Sequence, residues 1–136
     1  MSAKFLADKQ FWAAILAAPI VWILLYFYTD ALIAKQEFNP IYAIFIYPII
    51  EELAFRGLIQ DYLHTKFTST VAQFSLANIL TTILFVLLHL VYHPILWALA
   101  VFIPSLIFGY FKDRTGYILP AIILHIFYNS GFFLLL

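Results

Sequence analysis

The sequence contains no cysteine and very little charge. Its 136 residues include seven Lys and Arg, seven Asp and Glu, and four glycines. Without cysteine, the chain cannot form a disulfide, bind a metal through thiolates or use a cysteine nucleophile. The basic residues are scattered singly and the formal net charge is zero, which argues against a nucleic-acid-binding surface.

Apolar residues dominate the composition. They make up 65% of the chain, and aromatic residues make up 20%. A soluble domain of this length needs far more than 10% charged residues to cover its surface. The composition therefore predicts an integral membrane protein in contact with the lipid bilayer, with residues 1–136 as a single intramembrane domain.

Long apolar runs between short polar clusters predict an all-α fold. Because a membrane-spanning helix needs roughly 20 apolar residues, the pattern indicates a polytopic transmembrane helical bundle of about five spans. The predicted spans are Phe11–Tyr28, Pro40–Leu63, Val71–Tyr92, Pro94–Phe111 and Tyr117–Leu136. The first, residues 11–28, is interpreted as a retained N-terminal anchor because no small-residue cleavage site follows it. Asn39 before Pro40 predicts a capped start of the second span.

The basic residues between the spans predict the orientation of the chain. With five spans, the N-terminus shares a side with the loops around 64–70 and 112–116. That side carries Lys4, Lys9, Lys66, Lys112 and Arg114, whereas the opposite side carries Lys35 alone. Since cytoplasmic loops are enriched in Lys and Arg, we expect the N-terminus in the cytoplasm and the C-terminus outside.

Two adjacent glutamates lie in the middle of the second predicted span. An isolated charge at this depth costs on the order of 2.5–3.5 kcal/mol, so a partner is expected. Arg56 follows Glu52 by four residues, which places the two on one helix face with the acid before the base, the favourable order. Glu51 lies about 100° further around the helix and lacks that partner. Pro48 adds a bend just before both glutamates.

Two further pairs at a spacing of four lie on other predicted spans. His89 follows Phe85 in the third span, and Asn129 follows His125 in the last. Residues at this spacing share a helix face, so these side chains and Glu51 can meet at one point in the bundle. A carboxylate can take a proton from water, a histidine can hold that water, and His with Asn can donate hydrogen bonds to an oxyanion. These are the groups that hydrolysis of a carbonyl compound requires.

The same residues also permit structural interpretations. Glu52 and Arg56 can form a purely structural ion pair. A buried histidine such as His89 or His125 can serve packing or a helix–helix hydrogen bond. Phe85, taken alone, is typical of a core or lipid-facing aromatic residue.

A zinc site is a further alternative. Glu51, His89 and His125 can ligate zinc with a water in the fourth position. His93 stands four residues after His89, but it precedes Pro94, which disfavours a helical backbone there and a face shared with His89. The sequence has neither a HEXXH pattern nor a thiolate. These absences, together with the family resemblance described next, favour a metal-free site over a zinc site.

The three pairs, in this order, resemble the motifs of the CPBP family of membrane proteins. The motifs are Glu51-Glu52-x-x-x-Arg56, Phe85-x-x-x-His89 and His125-x-x-x-Asn129. This family contains CAAX prenyl proteases, the Ras-converting enzyme, and bacteriocin-processing or immunity proteins. The segment FGYFKDRTGYILPAIILHIFYNSG, from Phe108 to Gly131, is similar to the family's closing helix pair. The resemblance covers residues 40–136, which are expected to form the catalytic core behind the anchor.

The resemblance implies a glutamate-dependent intramembrane endopeptidase with no required metal or other cofactor. It implies that Glu51 is the general base that activates water together with His89. It also implies that His125 and Asn129 form the oxyanion site. A small prokaryotic member located in the inner membrane is indicated.

The remaining motif residues are implied to support this site. Glu52 and Arg56 are expected to brace the helix and to keep Glu51 ionised and oriented, with Phe85 beside His89. The implied substrate is a membrane-embedded or membrane-tethered peptide or protein, such as a peptide leader or a C-terminal sorting tail. Many relatives carry more helices, whereas here a single span precedes the core, so no prenyl-binding addition is indicated.

Two functions of another class remain open. The immunity relatives suggest a non-catalytic membrane protein that binds and neutralises a membrane-active peptide. The buried polar groups also suit a small proton or ion pathway. Every residue that the resemblance implies to be catalytic is present in this sequence, which favours the peptidase.

Overall fold

The described part of the chain forms five helices and one short hairpin. The structure, a computed structural model, describes residues 3–27 and 39–135. A short 3-10 helix, Ala3–Ala7, precedes the first long helix. The helices are α1 (Lys9–Tyr26), α2 (residues 42–64), α3 (Leu76–Tyr92), α4 (Ile95–Thr115) and α5 (Leu119–Leu135). Tyr28, Lys35 and Leu136, which enter the predicted spans and the charge count, lie outside the described residues.

Helix α2 alternates between α-helical and π-helical segments. They follow one another without a break as Tyr42–Ile46 (π), Tyr47–Glu52 (α), Leu53–Gln60 (π) and Asp61–His64 (α). At its start, the Asn39 side-chain oxygen accepts a hydrogen bond from the Ile41 N–H at 3.0 Å. This contact satisfies a backbone donor of the first turn and confirms the predicted cap.

The first π-helical segment leaves one carbonyl without a partner in the helix. The Tyr47 N–H donates to the Tyr42 carbonyl, five residues back. In this register the next donor is residue 48, which is proline and has no N–H. The carbonyl of Ala43, five residues before Pro48, must therefore find its hydrogen bond outside α2.

The third span begins later than the sequence predicts. Thr70–Val71 pairs antiparallel with Phe74–Ser75 in a two-residue-turn hairpin, so Val71 lies in a strand. Val71 and Thr70 are β-branched residues, which suit an extended backbone. Ser75 then caps α3, because its hydroxyl accepts the Asn78 N–H at 3.0 Å. The predicted start at Val71 was wrong, and the helix begins at Leu76.

The fourth span extends beyond its predicted end at Phe111. Helix α4 is interrupted by a turn at Val101, between the segments Ile95–Ala100 and Phe102–Thr115. It ends where Gly116 adopts φ +73°, the left-handed conformation that glycine reaches without a steric penalty. The additional turn carries polar residues that stand outside the apolar run, so a hydropathy pattern alone ends the span too early.

Close packing joins the helices into a bundle. Helix α4 lies against α3 and α5, and α1 packs on α5. Helix α2 contacts α5 through residues 42–52 and α3 through residues 53–64. A Cβ atom on Gly109 of α4 would collide with the Asn78 side chain of α3. These two helices therefore approach as closely as they do because residue 109 is glycine.

The outward faces of the bundle are apolar. Leu16, Ile20 and Leu24 of α1 are all largely exposed. Helices α1 and α4 are long and apolar enough to cross a membrane, and α3 and α5 are shorter apolar helices. Surfaces of this kind are stable against lipid, where they remain out of contact with water.

The helix directions give the bundle two different ends. Arg114 Nε lies 2.5 Å from Asp8 Oδ2, so the end of α4 meets the start of α1. Lys112 Nζ lies 2.6 Å from Asp61 Oδ1, which brings the end of α2 to the same place. We call this the basic end. The opposite end, where α2 starts at Asn39 and α3 finishes at Tyr92, is called the distal end.

Candidate functional site

Glu52 is a buried carboxylate with a cation on one oxygen and an imidazole on the other. Its side chain is 0% exposed. Oε2 lies 3.2 Å from Arg56 Nε, in the same helix. Oε1 lies 2.8 Å from His125 Nδ1, in α5. The Arg56 partner confirms the prediction from the spacing of four, whereas the His125 partner depends on how α2 and α5 pack.

Arg56 is enclosed by helix α4 and by two aromatic rings. Its Nη2 donates to the Ser105 carbonyl at 2.6 Å and to Ser105 Oγ at 2.7 Å. The guanidinium carbon lies 5.1 Å from the ring centre of Phe85 and 5.8 Å from that of Phe108. Charged hydrogen bonds and cation–π contacts offset the desolvation of a buried guanidinium. The Glu52 carboxylate thus faces a cation that is fixed in place.

His125 lies between the two glutamates. Its Nδ1 contacts Glu52 Oε1, and its Nε2 stands 3.6 Å from Glu51 Oε2. An ionised carboxylate only accepts hydrogen bonds, so Nδ1 carries a hydrogen directed at Glu52. In a neutral ring, Nε2 would then be an acceptor that faces a second acceptor. At 3.6 Å the two atoms are within ion-pair distance but are too far apart for a hydrogen bond.

Glu51 is the accessible member of the glutamate pair. Its side chain is 28% exposed, whereas that of Glu52 is fully buried. Adjacent helical residues point about 100° apart, which explains the difference. A general base must reach the water that it deprotonates, so Glu51 suits this role and Glu52 does not.

His89 lies beside this cluster, and its ring is oriented by its own helix. Its Nδ1 is 2.9 Å from the Phe85 carbonyl, which only accepts, so Nδ1 carries the hydrogen. The ring stands 4.4 Å from the Phe85 ring, which is itself 6.1 Å from the His125 ring. No hydrogen bond or ion pair joins His89 to either glutamate within residues 3–27 and 39–135. Phe85 therefore contacts both histidine rings.

His93 has the backbone that was predicted, but its side chain remains beside His89. The backbone at His93 is extended, with φ −128° and ψ 155°, as expected before Pro94. Its ring nevertheless stacks on His89 at 5.5 Å and on Trp97 at 5.1 Å. The inference that an extended backbone at His93 would part the two histidines was therefore wrong.

Asn129 makes an interhelical hydrogen bond. Its Nδ2 donates to the Ala43 carbonyl at 2.9 Å. This is the carbonyl that Pro48 and the π-helical register leave without a helical donor. One amide hydrogen of Asn129 thus fixes the first half of α2 against α5, and this places the helix that carries Glu51.

A ladder of polar side chains continues from Arg56 toward the basic end. Ser105 Oγ donates to Thr82 Oγ1 at 3.1 Å, and Thr82 Oγ1 donates to Asn78 Oδ1 at 3.3 Å. Gln60, one turn beyond Arg56, donates to the Gly109 carbonyl at 3.0 Å. These polar side chains are fully buried. They were not predicted, although Arg56 and Gln60 share the spacing of four that Glu52 and Arg56 have.

The ladder ends at Asp113 at the basic end. Its Oδ1 lies 2.6 Å from Gln60 Nε2 and 2.7 Å from His64 Nε2. Its Oδ2 accepts the Ser75 hydroxyl at 2.6 Å. Asp113 thus ties α2, α3 and α4 together where the helices leave the apolar region. This junction fixes α2 and α3 relative to α4, the helix against which α5 packs.

The zinc alternative lacks a converging ligand set. Among the described residues, no three His, Asp or Glu side chains come together as the ligands of one ion. Glu51 and His125 do approach each other, at 3.6 Å. A tetrahedral zinc site of the catalytic type needs three protein ligands at about 2.0–2.2 Å.

A comparison with protein families identifies the family of the chain. The family described as Type II CAAX prenyl endopeptidase Rce1-like matches residues 34–131. The match includes all three motifs, from Glu51 to Asn129. The chain belongs to this family. No curated protein and no solved structure matched the chain.

Membership of the Rce1-like family defines the class of the protein. It is an integral membrane protein with a polytopic helical fold, and it is a CAAX-type intramembrane endopeptidase, that is, a hydrolase. The apolar helices are consistent with this class. The buried Glu52–Arg56–His125 cluster lies within the matched region.

Proposed function

We propose that this chain hydrolyses a peptide bond with a water molecule activated by Glu51. The observation that carries the proposal is the position of His125 between two carboxylates of unequal exposure. Glu52 is fully buried beside Arg56, whereas Glu51 is partly exposed. A fixed charge pair next to an accessible base is the arrangement expected for pre-oriented acid–base chemistry.

The proposed reaction requires one proton on the Glu51–His125 pair. When that proton resides on His125, Glu51 is ionised and Nε2–H is a hydrogen-bond donor. Glu51 then accepts a proton from water as the water oxygen attacks the carbonyl carbon. The carbonyl oxygen becomes an oxyanion, which His125 Nε2–H stabilises. When the C–N bond breaks, the proton on Glu51 passes to the leaving nitrogen, and the products are a carboxylic acid and an amine.

His89 and Asn129 complete the proposed site. Because His89 Nδ1 is bound to the Phe85 carbonyl, the other ring nitrogen remains to hold the water beside Glu51. One amide hydrogen of Asn129 is used by Ala43, so the second is the one available to the oxyanion. Glu52 and Arg56 act through His125, because they fix its Nδ1 side and so direct Nε2 at the reacting atoms.

The proposed substrate is a peptide or protein embedded in or tethered to the membrane. The proposed location is a prokaryotic inner membrane, with the N-terminus in the cytoplasm and the C-terminus outside. The supporting observation is that the charged contacts of Asp8, Asp61 and Asp113 all lie at one end of the bundle. Lys and Arg near span ends mark the cytoplasmic side, and five of them flank these contacts.

The test compares wild-type protein with Glu51→Gln in detergent or liposomes. Membrane-tethered tail peptides serve as substrates, and the reaction is run in water labelled with ¹⁸O. We expect one ¹⁸O in each new C-terminal carboxylate for the wild type and no cleavage for Glu51→Gln, because the amide retains the shape and loses the base. Folding of the variant is checked by its thermal transition.

Asp61→Asn is the matched control. It makes the same carboxylate-to-amide change at an exposed residue of the same helix, paired with Lys112 at the basic end. This variant is expected to cleave at the wild-type rate. Normal cleavage by folded Glu51→Gln protein would contradict the proposal.

A further inference from the structure

A column of stacked rings runs from the buried core to the break between α3 and α4. The rings belong to residues that are spaced four apart, namely Phe85, His89, His93 and Trp97. Successive ring centres are 4.4, 5.5 and 5.1 Å apart, and the planes of the last two rings differ by only 9°. These are the separations of interacting aromatic rings. Because Trp97 belongs to α4, the column joins two helices.

The spacing of four does not by itself produce this column. His93 precedes Pro94, so its backbone is extended and the helical repeat of α3 stops before it. Pro94 then caps the segment Ile95–Ala100, which carries Trp97. The His93 ring fills the interval between a ring on α3 and a ring on α4. Its place in the column is therefore a product of packing at the helix break.

Rings from two other helices anchor the ends of the column. The Phe55 ring of α2 meets the Phe85 ring at 4.9 Å and an angle of 81°. The Phe132 ring of α5 meets the Trp97 ring at 4.7 Å and an angle of 79°. Such edge-on contacts are a favourable arrangement of aromatic rings. A ring inside the column therefore has little room to turn.

His89 depends on the column for its orientation. Its Nδ1 donates to the Phe85 carbonyl at 2.9 Å, and within residues 3–27 and 39–135 its ring makes no other hydrogen bond. A ring that is held by one hydrogen bond can still pivot about it. The Phe85 ring, one turn before, and the His93 ring, just after α3, bracket the His89 ring and restrict this pivot. These two neighbours therefore determine where His89 Nε2 lies.

His93 contributes the faces of its ring and not its nitrogens. In the part of the chain that the structure describes, neither ring nitrogen of His93 has a hydrogen-bond partner. The ring faces contact His89 and Trp97, and the residue is partly exposed. An amphipathic ring can pack its apolar faces while its polar edge remains accessible. A ring without nitrogens would therefore stack equally well at this position.

We infer that His93 and Trp97 are positioning residues for His89. They act through the stack, which holds the His89 ring so that Nε2 can reach the water beside Glu51. The role of His89 rests on the proposed function, whereas the roles of His93 and Trp97 rest on the ring column. Both residues lie outside the three sequence motifs.

Two substitutions of His93 separate stacking from chemistry at its nitrogens. His93→Ala removes the ring and frees His89 to pivot, so kcat should fall by about 10²-fold with little change in KM, as expected for a displaced catalytic group. His93→Phe keeps the stack and removes both nitrogens, so it should retain most of the wild-type kcat and the wild-type pH profile. Wild-type kcat in folded His93→Ala protein would overturn the inference. Equal loss of activity in both variants would also overturn it.

Trp97→Leu tests whether the column acts as a unit. The double variant His93→Ala with Trp97→Leu should be as active as His93→Ala alone, because Trp97 reaches His89 only through His93. Losses that multiply would contradict this role of Trp97. Tyr92→Ala is the matched control, since it removes a largely exposed ring next to His93 and outside the column. This control is expected to keep the wild-type kcat.

The tautomer of His89 provides a measurement that needs no activity. Nitrogen NMR of protein labelled with ¹⁵N-histidine distinguishes the two tautomers, and the His89 signals are identified by their loss in His89→Gln. Wild type, His93→Phe and Tyr92→Ala should show the Nδ1–H tautomer that the Phe85 carbonyl selects. In His93→Ala, the Nε2–H tautomer should appear as the ring leaves that carbonyl. An unchanged tautomer in His93→Ala would overturn the inference.

The two measurements also separate this inference from the proposed chemistry. Wild-type protein might fold and show the expected His89 tautomers, yet cleave no membrane-tethered peptide. In that case the proposed peptidase reaction fails and the positioning of His89 by His93 stands. Cleavage by wild type with no response of kcat or tautomer to His93→Ala gives the reverse conclusion.

Discussion

Replacement of Arg56 by methionine removes the guanidinium that lies 3.2 Å from Glu52 and leaves the carboxylate buried. Both side chains are 0% exposed. When one partner of such a pair is lost, the uncompensated charge typically lowers the free energy of unfolding by about 3–5 kcal/mol. His125 keeps its 2.8 Å contact with Glu52 and can supply a positive charge. We therefore expect a loss near the lower limit, about 3 kcal/mol.

The double variant Glu52→Gln with Arg56→Met separates charge from packing. It removes both charges, while the Gln carbonyl oxygen can still accept the His125 Nδ1–H. Neutral replacements of buried ion pairs are often as stable as the original, so most of the lost stability should return. Peptide cleavage should not return, because the fixed Glu52–Arg56 charge pair beside His125 is absent.

The assay is unfolding in mixed detergent and SDS, followed by tryptophan fluorescence, with cleavage measured on the same preparations. Arg114→Met is the control, because it removes a guanidinium that is exposed and pairs with Asp8. Its effect should be far smaller, since exposed ion pairs are screened by water. If the double variant is as unstable as Arg56→Met alone, the instability comes from lost packing and not from the unpaired charge.

Four further predictions concern Asn129, the metal alternative, Asp8 and Gly109. Asn129→Ala should lower the free energy of unfolding by roughly 0.6–2 kcal/mol through loss of the Ala43 hydrogen bond. If Asn129 also binds the oxyanion, the same variant should lower turnover at saturating substrate by about 10²–10³. Near-normal turnover of the folded variant would show that Asn129 has a structural role only. Activity should survive exhaustive chelation, whereas inactivation that zinc reverses would restore the metal alternative. The hydrogen bond from Arg114 lowers the pKa of Asp8 below its ordinary 3.8. Because the pKa is lower in the folded state than in the unfolded state, the contact stabilises the fold above pH 3.8. This stabilisation is lost as the pH falls through the lowered pKa. Asp8→Asn should therefore reduce the free energy of unfolding at neutral pH, and that free energy should fall less steeply with acid than in the wild type. An acid-unfolding curve identical to that of the wild type would contradict this prediction. Gly109→Ala should strongly destabilise the bundle, because the added methyl meets Asn78; wild-type thermal stability would contradict that packing.

Local features of the site followed from the sequence because they depend on one helix at a time. The Glu52–Arg56 pair needs only the helical repeat. The cap at Asn39 needs only a polar side chain before the first turn. The choice of all-α spans needs only the length of the apolar runs. Phe85 and His89 likewise meet through a spacing of four, as their 4.4 Å ring distance shows.

The short elements near the span ends were harder to predict from the sequence. The pattern from Val71 onward is apolar enough to suggest a helix, yet residues 70–75 form a hairpin. Six residues are too few for hydropathy to distinguish strand from helix. The capping contact of Ser75 with the Asn78 backbone marks the true start of α3, and a serine three residues before an asparagine is a weak signal beforehand.

The sequence alone determined the membrane class, the helices and the residues that carry chemistry, because composition and helical spacing are local properties. Only the tertiary structure decided that His125 bridges Glu52 and Glu51, since this contact depends on the register between α2 and α5. The π-helical segment Tyr42–Ile46, just before Pro48, contributes to that register, because its unpaired Ala43 carbonyl accepts a hydrogen bond from Asn129. A helix that changes its repeat shifts every side chain beyond that point, and the spacing of residues along the chain cannot reveal where this happens.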